Sequence, residues 1–246
     1  MLLKDQAICI RAVDYSETSQ VVTFFACDHG KVGAMAKGAK RPKSAFGGAI
    51  EPFSYGDVLL ADSPSARLAT LTEFQPRFDV VRGLSGSLSA YHAALLGAEL
   101  VDKLTQDRDP HPGLYEGFLQ FLQEAVTTRS VLPALIGFQS VLLTQIGLQP
   151  VLDRCVNCQL PYAQTWPDRY FSSSANGLIC RDCEGAFADR VSLAGPVAQA
   201  WTGPDGLGTA DLRVLRTIEG ILIGHFTNLL HHRPKTAESV LKSLSE

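Results

Sequence analysis

A chain of 246 residues with 46% apolar and 19% charged residues can bury a sizeable core, which excludes an intrinsically disordered protein. A formal charge of −3 excludes a uniformly basic protein that coats nucleic acid, yet leaves room for a local cationic site, because interaction fields depend on where charge sits. The opening MLLKDQAICIRAV has no charged segment leading into a long apolar run, and no stretch approaches the roughly 20 apolar residues of a membrane helix, so a cytoplasmic protein without membrane contact is expected.

The first 80 residues read as strands. QAICIRAV, SQVVTFFA, KVGAMAK, GDVLLA and ARLATLTEF are short runs rich in β-branched or aromatic residues, separated by the turn-forming CDHG, GAKRPKSAFGG and DSPS. In the last run Leu68, Thr70, Thr72 and Phe74 alternate with Arg67, Ala69, Leu71 and Glu73, and neither set is cleanly apolar. About five such runs suit a small closed barrel of the OB type. An SH3-like barrel is the rival that periodicity does not separate from it. Cys9 and Cys27 sit singly in apolar runs and read as core packing.

Beyond Phe78 the period becomes helical. Leu88, Tyr91, Leu95 and Leu96 recur at helical spacing, and after the loop QDRDPHPG a second helix places Leu114, Phe118, Phe121, Leu122 and Ala125 on one face. SVLPALIGFQSVLLTQIGLQP reads as a third helix, with Pro133 in its first turn and Gly147 as its stop. It is apolar nearly all round, so it belongs inside a bundle. Residues 151–190 break the helical pattern. A long helix then carries Leu212, Leu215, Ile218, Leu222, Phe226 and Leu229 in one stripe, with Thr209 as its N-cap, and TAESVLKSL makes a short final helix. The expected fold is α+β and multidomain. It comprises an OB barrel over 1–80, a helical domain over 81–150 and 191–246, and an inserted four-cysteine module over 151–190.

In that insert Cys155 and Cys158 form CVNC, and Cys180 and Cys183 form CRDC. Two residues between paired cysteines let a tight turn aim both sulfurs at one ion. The intervening segment can fold back as a hairpin through Asn176-Gly177. Two such pairs build a closed four-thiolate site for one structural Zn2+. Disulfides or a redox pair are the alternatives; the first suits an exported chain and the second needs only one pair.

The segment KVGAMAKGAKRPKSAFGG gathers Lys31, Lys37, Lys40, Arg41 and Lys43 without an acid. It is not a phosphate-binding P-loop: Ala39 stands where lysine is required, and RPK would break the helix that must follow. Against the bland reading of a solvated loop, the cations alternate with Gly and Ala, so the chain can approach a surface closely. The preferred reading is a track for nucleic-acid phosphates, with Phe46 and Phe53 as candidates to stack on bases. Acids are scattered and most histidines isolated, so no catalytic constellation is expected.

Three stretches together resemble one family. YSETSQVVTFFACDHGKVGAMAKGAKRPKSAFGGAIEPF resembles the N-terminal signature of RecO, the bacterial recombination mediators; FQSVLLTQIGLQPVLDRCVNC resembles their helix-to-cysteine junction, and YFSSSANGLICRDC the second half of their zinc module. The resemblance runs in order over about residues 1–190. It implies a cytoplasmic, nucleoid-associated protein of DNA repair and recombination. Such a protein binds single- and double-stranded DNA, anneals complementary strands and helps load the recombinase. It also implies partnership with RecR and with the C-terminal tail of single-strand DNA-binding protein, and no enzymatic activity. The family's basic OB loop maps onto Lys37, Lys40, Arg41 and Lys43, with Arg11 and Lys31 on flanking strands. The other class in play is a zinc-stabilised interaction scaffold whose basic loop binds an acidic protein.

Overall fold

Strands form where the alternating runs predict them: β1 (Leu2–Asp14), β2 (Gln20–Ala26), β3 (Gly30–Ala36), β4 (Tyr55–Ala61) and β5 (Ala69–Pro76). The structure is a computed structural model that describes residues 1–62, 66–77, 80–203 and 206–243. The strands close in the order β1-β2-β3-β5-β4, with β3 and β5 parallel and the other pairs antiparallel. That order is the five-stranded Greek-key barrel of the OB fold, which the sequence alone left open against an SH3-like alternative.

Two bulges explain the blurred alternation along the strands. Along β1, Cys9 faces Phe24 but Arg11 faces Thr23, so Ile10 is an extra residue. Leu3, Ala7 and Cys9 point into the barrel before it and Ala12 packs there after it, which turns Arg11 and Val13 outward. Along β5, Glu73 faces Leu59 while Leu71 faces Leu60, so Thr72 is extra. Inward positions then switch from Ala69 and Leu71 to Phe74.

The barrel shares the unit Met1–Arg129 with α1 (Val80–Leu84), α2 (Leu88–Leu104) and α3 (Pro112–Ala125). The α2 face differs from the sequence expectation. Leu88 is 59% and Tyr91 38% exposed. Burial falls instead on Ala90, Ala93, Ala94, Gly97 and Ala98, together with Leu96, Leu100 and Val101. Small side chains let the helix lie close to its neighbours, which a count of large apolar residues overlooks. Tyr91 meets Phe53 edge-on, with ring centroids 6.0 Å apart.

The unit Ser130–Glu246 holds α4 (Leu132–Gln145), β6 (Arg169–Ser172), β7 (Gly177–Cys180), β8 (Val191–Ser192), α5 (Gly195–Thr202), α6 (Gly206–Thr209), α7 (Leu212–Leu230) and α8 (Ala237–Ser243). The short strands form one sheet ordered β7-β6-β8. As predicted, α4 is a core helix, burying Leu132, Leu135, Ile136, Phe138, Leu142 and Leu143. Thr209 is not the cap of α7. Asp211 is, its carboxylate accepting from the Val214 N–H at 2.8 Å, and a carboxylate also suits the positive end of the helix dipole. Among the described residues no helix is long and apolar enough to cross a membrane.

Candidate nucleic-acid interface and metal cluster

The cationic loop leaves β3 at Ala36 and returns at Tyr55. Its apolar residues are anchors: Ala39, Phe46 and Ile50 are buried in the barrel core. The buried Gln20 amide clamps Ile50, accepting from its N–H at 2.9 Å and donating to its carbonyl at 3.3 Å. The turn between β1 and β2 holds the other end. There the Gly38 N–H donates to Ser19 Oγ at 3.1 Å and the Lys40 N–H to the Thr18 carbonyl at 3.0 Å. Gly38 sits at φ +70°, a conformation that favours glycine. Between the anchors Lys37, Lys40, Arg41 and Lys43 are all exposed, and Arg11 is exposed on β1 just past its bulge. The loop is therefore a fastened scaffold that holds its charges outward.

The structure alters the reading in three places. Asp14, from the end of β1, pairs with Lys40 at 2.7 Å, so the local field is weaker than a charge count along the segment suggests. The pair is largely exposed and contributes on the order of 0–1 kcal/mol, so a phosphate can compete for the lysine. Among the described residues no carboxylate pairs with Lys37, Arg41 or Lys43. Lys31 departs from the expected track altogether. Its side chain is 9% exposed, and its ammonium donates to the carbonyls of Asp102 at 2.6 Å and Thr105 at 3.0 Å, with the Asp102 and Asp107 carboxylates each at 3.5 Å. It fastens the end of α2 to the barrel, where Lys31 also forms a parallel bridge with Asp107.

The third change concerns aromatic residues. Phe46 and Phe53 are core residues at 8% and 1% exposure, so neither offers a ring to a base. The exposed ring nearby is Tyr15, 70% exposed in the turn whose Thr18 and Ser19 fasten the loop. Beside it Val13 is 46% exposed on the outward face that also carries Arg11. Only the strand pairing brings this turn against the basic loop. The signal in the sequence was an aromatic residue in the polar turn DYSETS.

In the second unit Cys155, Cys158, Cys180 and Cys183 converge, their sulfurs all within 4.8 Å of one another and none in a disulfide. The hairpin β6–β7 forms as expected, but its turn is residues 173–176, with Asn176 at φ 54° as the last turn residue and Gly177 already in β7 opposite Ser172, so it is not an Asn-Gly turn. Its end delivers Cys180, and a 3-10 turn over Arg181–Ala186 delivers Cys183. Residues 151–156 run along β7, with the Val156 N–H donating to the Leu178 carbonyl at 2.9 Å, which brings up the first pair. A tetrahedral ion bonded to sulfur at roughly 2.3 Å sets neighbouring sulfurs about 3.8 Å apart. Cys158 and Cys180 are already 3.7 Å apart, and with all four sulfurs within 4.8 Å of one another the set needs to close by about 1 Å at most to hold such an ion.

Backbone and amide donors reach two of the sulfurs. The Cys180 N–H donates to Cys155 Sγ at 3.4 Å and the Asn157 amide to Cys183 Sγ at 3.3 Å. Burial pushes the Cys155 thiol up, but the N–H groups of Cys158, Cys180 and Asn157 outweigh it and bring it down to about 7, whereas burial drives Cys180 up to about 12. Trp166 and Tyr162 close one side of the cluster. The arginines of the module are held internally: Arg154 pairs with Asp153, Arg181 with Asp168 and Arg190 with Glu184, while Arg169 donates to the Trp166 carbonyl.

Comparison with known proteins agrees with this anatomy. The family described as Recombination protein O N terminal matches residues 1–77, and Recombination protein O C terminal matches residues 85–200. The chain is 35% identical over 185 residues to the DNA repair protein RecO of Bacillus subtilis, covering 74% of this chain and 69% of that one. It is 34% identical over 183 residues to the protein of the same name from Bacillus pumilus, again covering 74% and 69%. Against that of Rhodopirellula baltica it is 32% identical over 201 residues, covering 82% and 72%.

Proposed function

This chain belongs to the RecO family of DNA repair proteins, and from that premise we propose that it binds single- and double-stranded DNA through its barrel and anneals complementary strands. The observation that carries the reading is the fastened loop that holds Lys37, Lys40, Arg41 and Lys43 outward beside Arg11. Annealing needs no catalytic group. It needs two repelling backbones neutralised while base edges stay free, and contacts to phosphate carry little sequence information. Tyr15 adds a ring for an unpaired base, which supports a place for single strands on the same face.

The four thiolates Cys155, Cys158, Cys180 and Cys183 are the donor set of structural zinc, and they leave no position for water on the ion. We therefore assign one Zn2+ a folding role, ordering an insert with little core of its own. In the cell the protein would act in the cytoplasm, at the nucleoid. There it would work with RecR and the C-terminal tail of single-strand DNA-binding protein in loading the recombinase.

The test is a salt titration of binding to bare single-stranded and duplex oligonucleotides. Affinity should fall steeply with salt, and Lys40→Glu/Arg41→Glu should weaken binding and flatten that slope. A variant with unchanged affinity and slope would remove the loop from the interface. A second reading, an acidic protein as the loop's ligand, draws on the carboxylate that Lys40 already holds. It predicts that bare oligonucleotides do not bind even in dilute buffer.

A further inference from the structure

The chain carries six cysteines, and their surroundings make them unequal targets for an oxidant. The thiolate reacts and the thiol hardly does, so reactivity needs both ionisation and access. Cys9 has neither: it is buried in the barrel, and burial pushes its thiol up to about 12. Cys27 is half-buried, but burial and the carboxylates of Asp28, Asp5 and Glu116 push its thiol up as well. The four cluster cysteines differ from both, because a bound metal ion keeps its sulfur ligands ionised at neutral pH.

Within the cluster the four are not equivalent. Cys155 and Cys180 are 0% and 5% exposed and pack with Trp166. Cys183 is half-buried, and its sulfur accepts from the Asn157 amide at 3.3 Å. A donor on sulfur stabilises the thiolate and so weakens it as a nucleophile. Cys158 is the exposed member, in a run where Asn157, Gln159 and Leu160 are exposed too. Among the described residues no N–H donates to its sulfur. The sulfur of Cys180 lies 3.7 Å from it, in the other cysteine pair.

On the reading of this cluster as a zinc site, we propose that Cys158 is an oxidation site through which a peroxide unloads the module, with Cys180 as the thiolate that completes the reaction. The Cys158 sulfur attacks one oxygen of hydrogen peroxide. An S–O bond forms, the O–O bond breaks, and hydroxide leaves and takes up a proton, so that Cys158 becomes a sulfenic acid. Cys180 then attacks the Cys158 sulfur. An S–S bond forms, the S–O bond breaks, and a second hydroxide leaves and becomes water. The two thiolates together lose two electrons, and the peroxide gains them. Cys155 and Cys183 are left as half of a four-thiolate set, too few to hold a structural ion. The disulfide is reducible, so a thiol reductant and fresh zinc restore the module.

The experiment treats the full-length, zinc-loaded chain with limiting hydrogen peroxide in excess dimedone, which traps sulfenic acids. Mass spectrometry locates the adducts, and a chromogenic chelator follows released zinc. The early adduct on Cys158 should exceed that on any other cysteine by about fivefold or more and should rise in step with zinc release. Without dimedone a Cys158–Cys180 disulfide should form, and reductant with added zinc should restore the metal content. The wild-type chain serves for all of this, so no metal ligand is replaced. Asn157→Ala, which removes the donor to Cys183, should still load zinc and should shift part of the adduct to Cys183. A first adduct on any cysteine other than Cys158, or zinc release that precedes reaction at Cys158, overturns the proposal. A Cys155–Cys158 disulfide overturns the role of Cys180, and an unchanged adduct pattern in Asn157→Ala overturns the protection of Cys183 by its donor. Zinc is assayed before the oxidant is added. A chain that never holds the metal counts against the zinc site itself, whereas a loaded chain with an inert Cys158 counts against this proposal alone.

Discussion

Replacing Glu219 by Gln should stabilise the second unit at neutral pH and leave it unchanged in mild acid. Glu219 lies on α7 with no exposure; it accepts from the Gln139 amide of α4 at 3.0 Å, while its Oε2 is buried without a partner. Burial pushes its carboxyl from 4.5 up to about 7, and the bond from Gln139 only partly offsets this. The folded unit therefore holds the proton more tightly than the unfolded chain. The stabilisation is complete below pH 4.5 and is lost as pH rises to about 7. At about 1.4 kcal/mol per pH unit, the interval from 4.5 to about 7 amounts to about 3 kcal/mol.

His225, on the same helix, works in the opposite direction. Burial lowers it from 6.5 to about 4, so the stability tied to its neutral form is lost as pH falls through that range. Between pH 4.5 and 6.5 the two slopes oppose each other in the wild type. The Gln variant removes one and exposes the other. Both tryptophans, Trp166 and Trp201, lie in this unit, so urea denaturation followed by tryptophan fluorescence reports on it alone. The difference between variant and wild type should be near zero at pH 4.5 and grow to about 3 kcal/mol in favour of the variant by pH 7.5. Contributions from the cysteine cluster are common to both proteins and drop out. A difference that is the same at pH 5 and pH 8 refutes the assignment of a proton to Glu219.

Cys180→Ser should abolish stoichiometric metal, read by elemental analysis, and should speed hydrogen exchange over residues 151–190; retention of one zinc per chain refutes a four-thiolate site. Asp14→Ala frees Lys40 from its carboxylate, so affinity for bare duplex should rise about threefold at low salt, consistent with an exposed pair of roughly 0–1 kcal/mol, and the gain should vanish at high salt. Tyr15→Ala should weaken single-strand binding by about 1–3 kcal/mol and duplex binding far less, measured by fluorescence anisotropy; equal losses on both substrates deny it a stacking role.

Much of this was legible in the sequence because it follows from local chemistry. Short β-branched or aromatic runs between turns marked every strand of the barrel, a 3.6-residue period marked α3 and α7, a nearly all-apolar run bounded by Pro133 and Gly147 marked α4, and the paired cysteines announced their cluster through spacing alone. The boundary at α7 was missed because two residues near its start, Thr209 and Asp211, can each cap a helix, and only the backbone path selects Asp211. The face of α2 was missed because the signal lay in alanines and a glycine, which say little until a neighbour is in place.

Charge identity, turn chemistry and ligand spacing belong to the chain itself, and they determined that this protein carries a cationic loop and a thiolate cluster. Which of those cations faces solvent was decided only in three dimensions. The carbonyls at the end of α2 draw Lys31 inward, β1 ends with Asp14 beside Lys40, and the core takes Phe46 while the neighbouring turn leaves Tyr15 exposed. The physical reason is range. Spacing and propensity act over a few residues, whereas desolvation and ion pairing depend on groups that are distant in sequence and adjacent only once the barrel has closed.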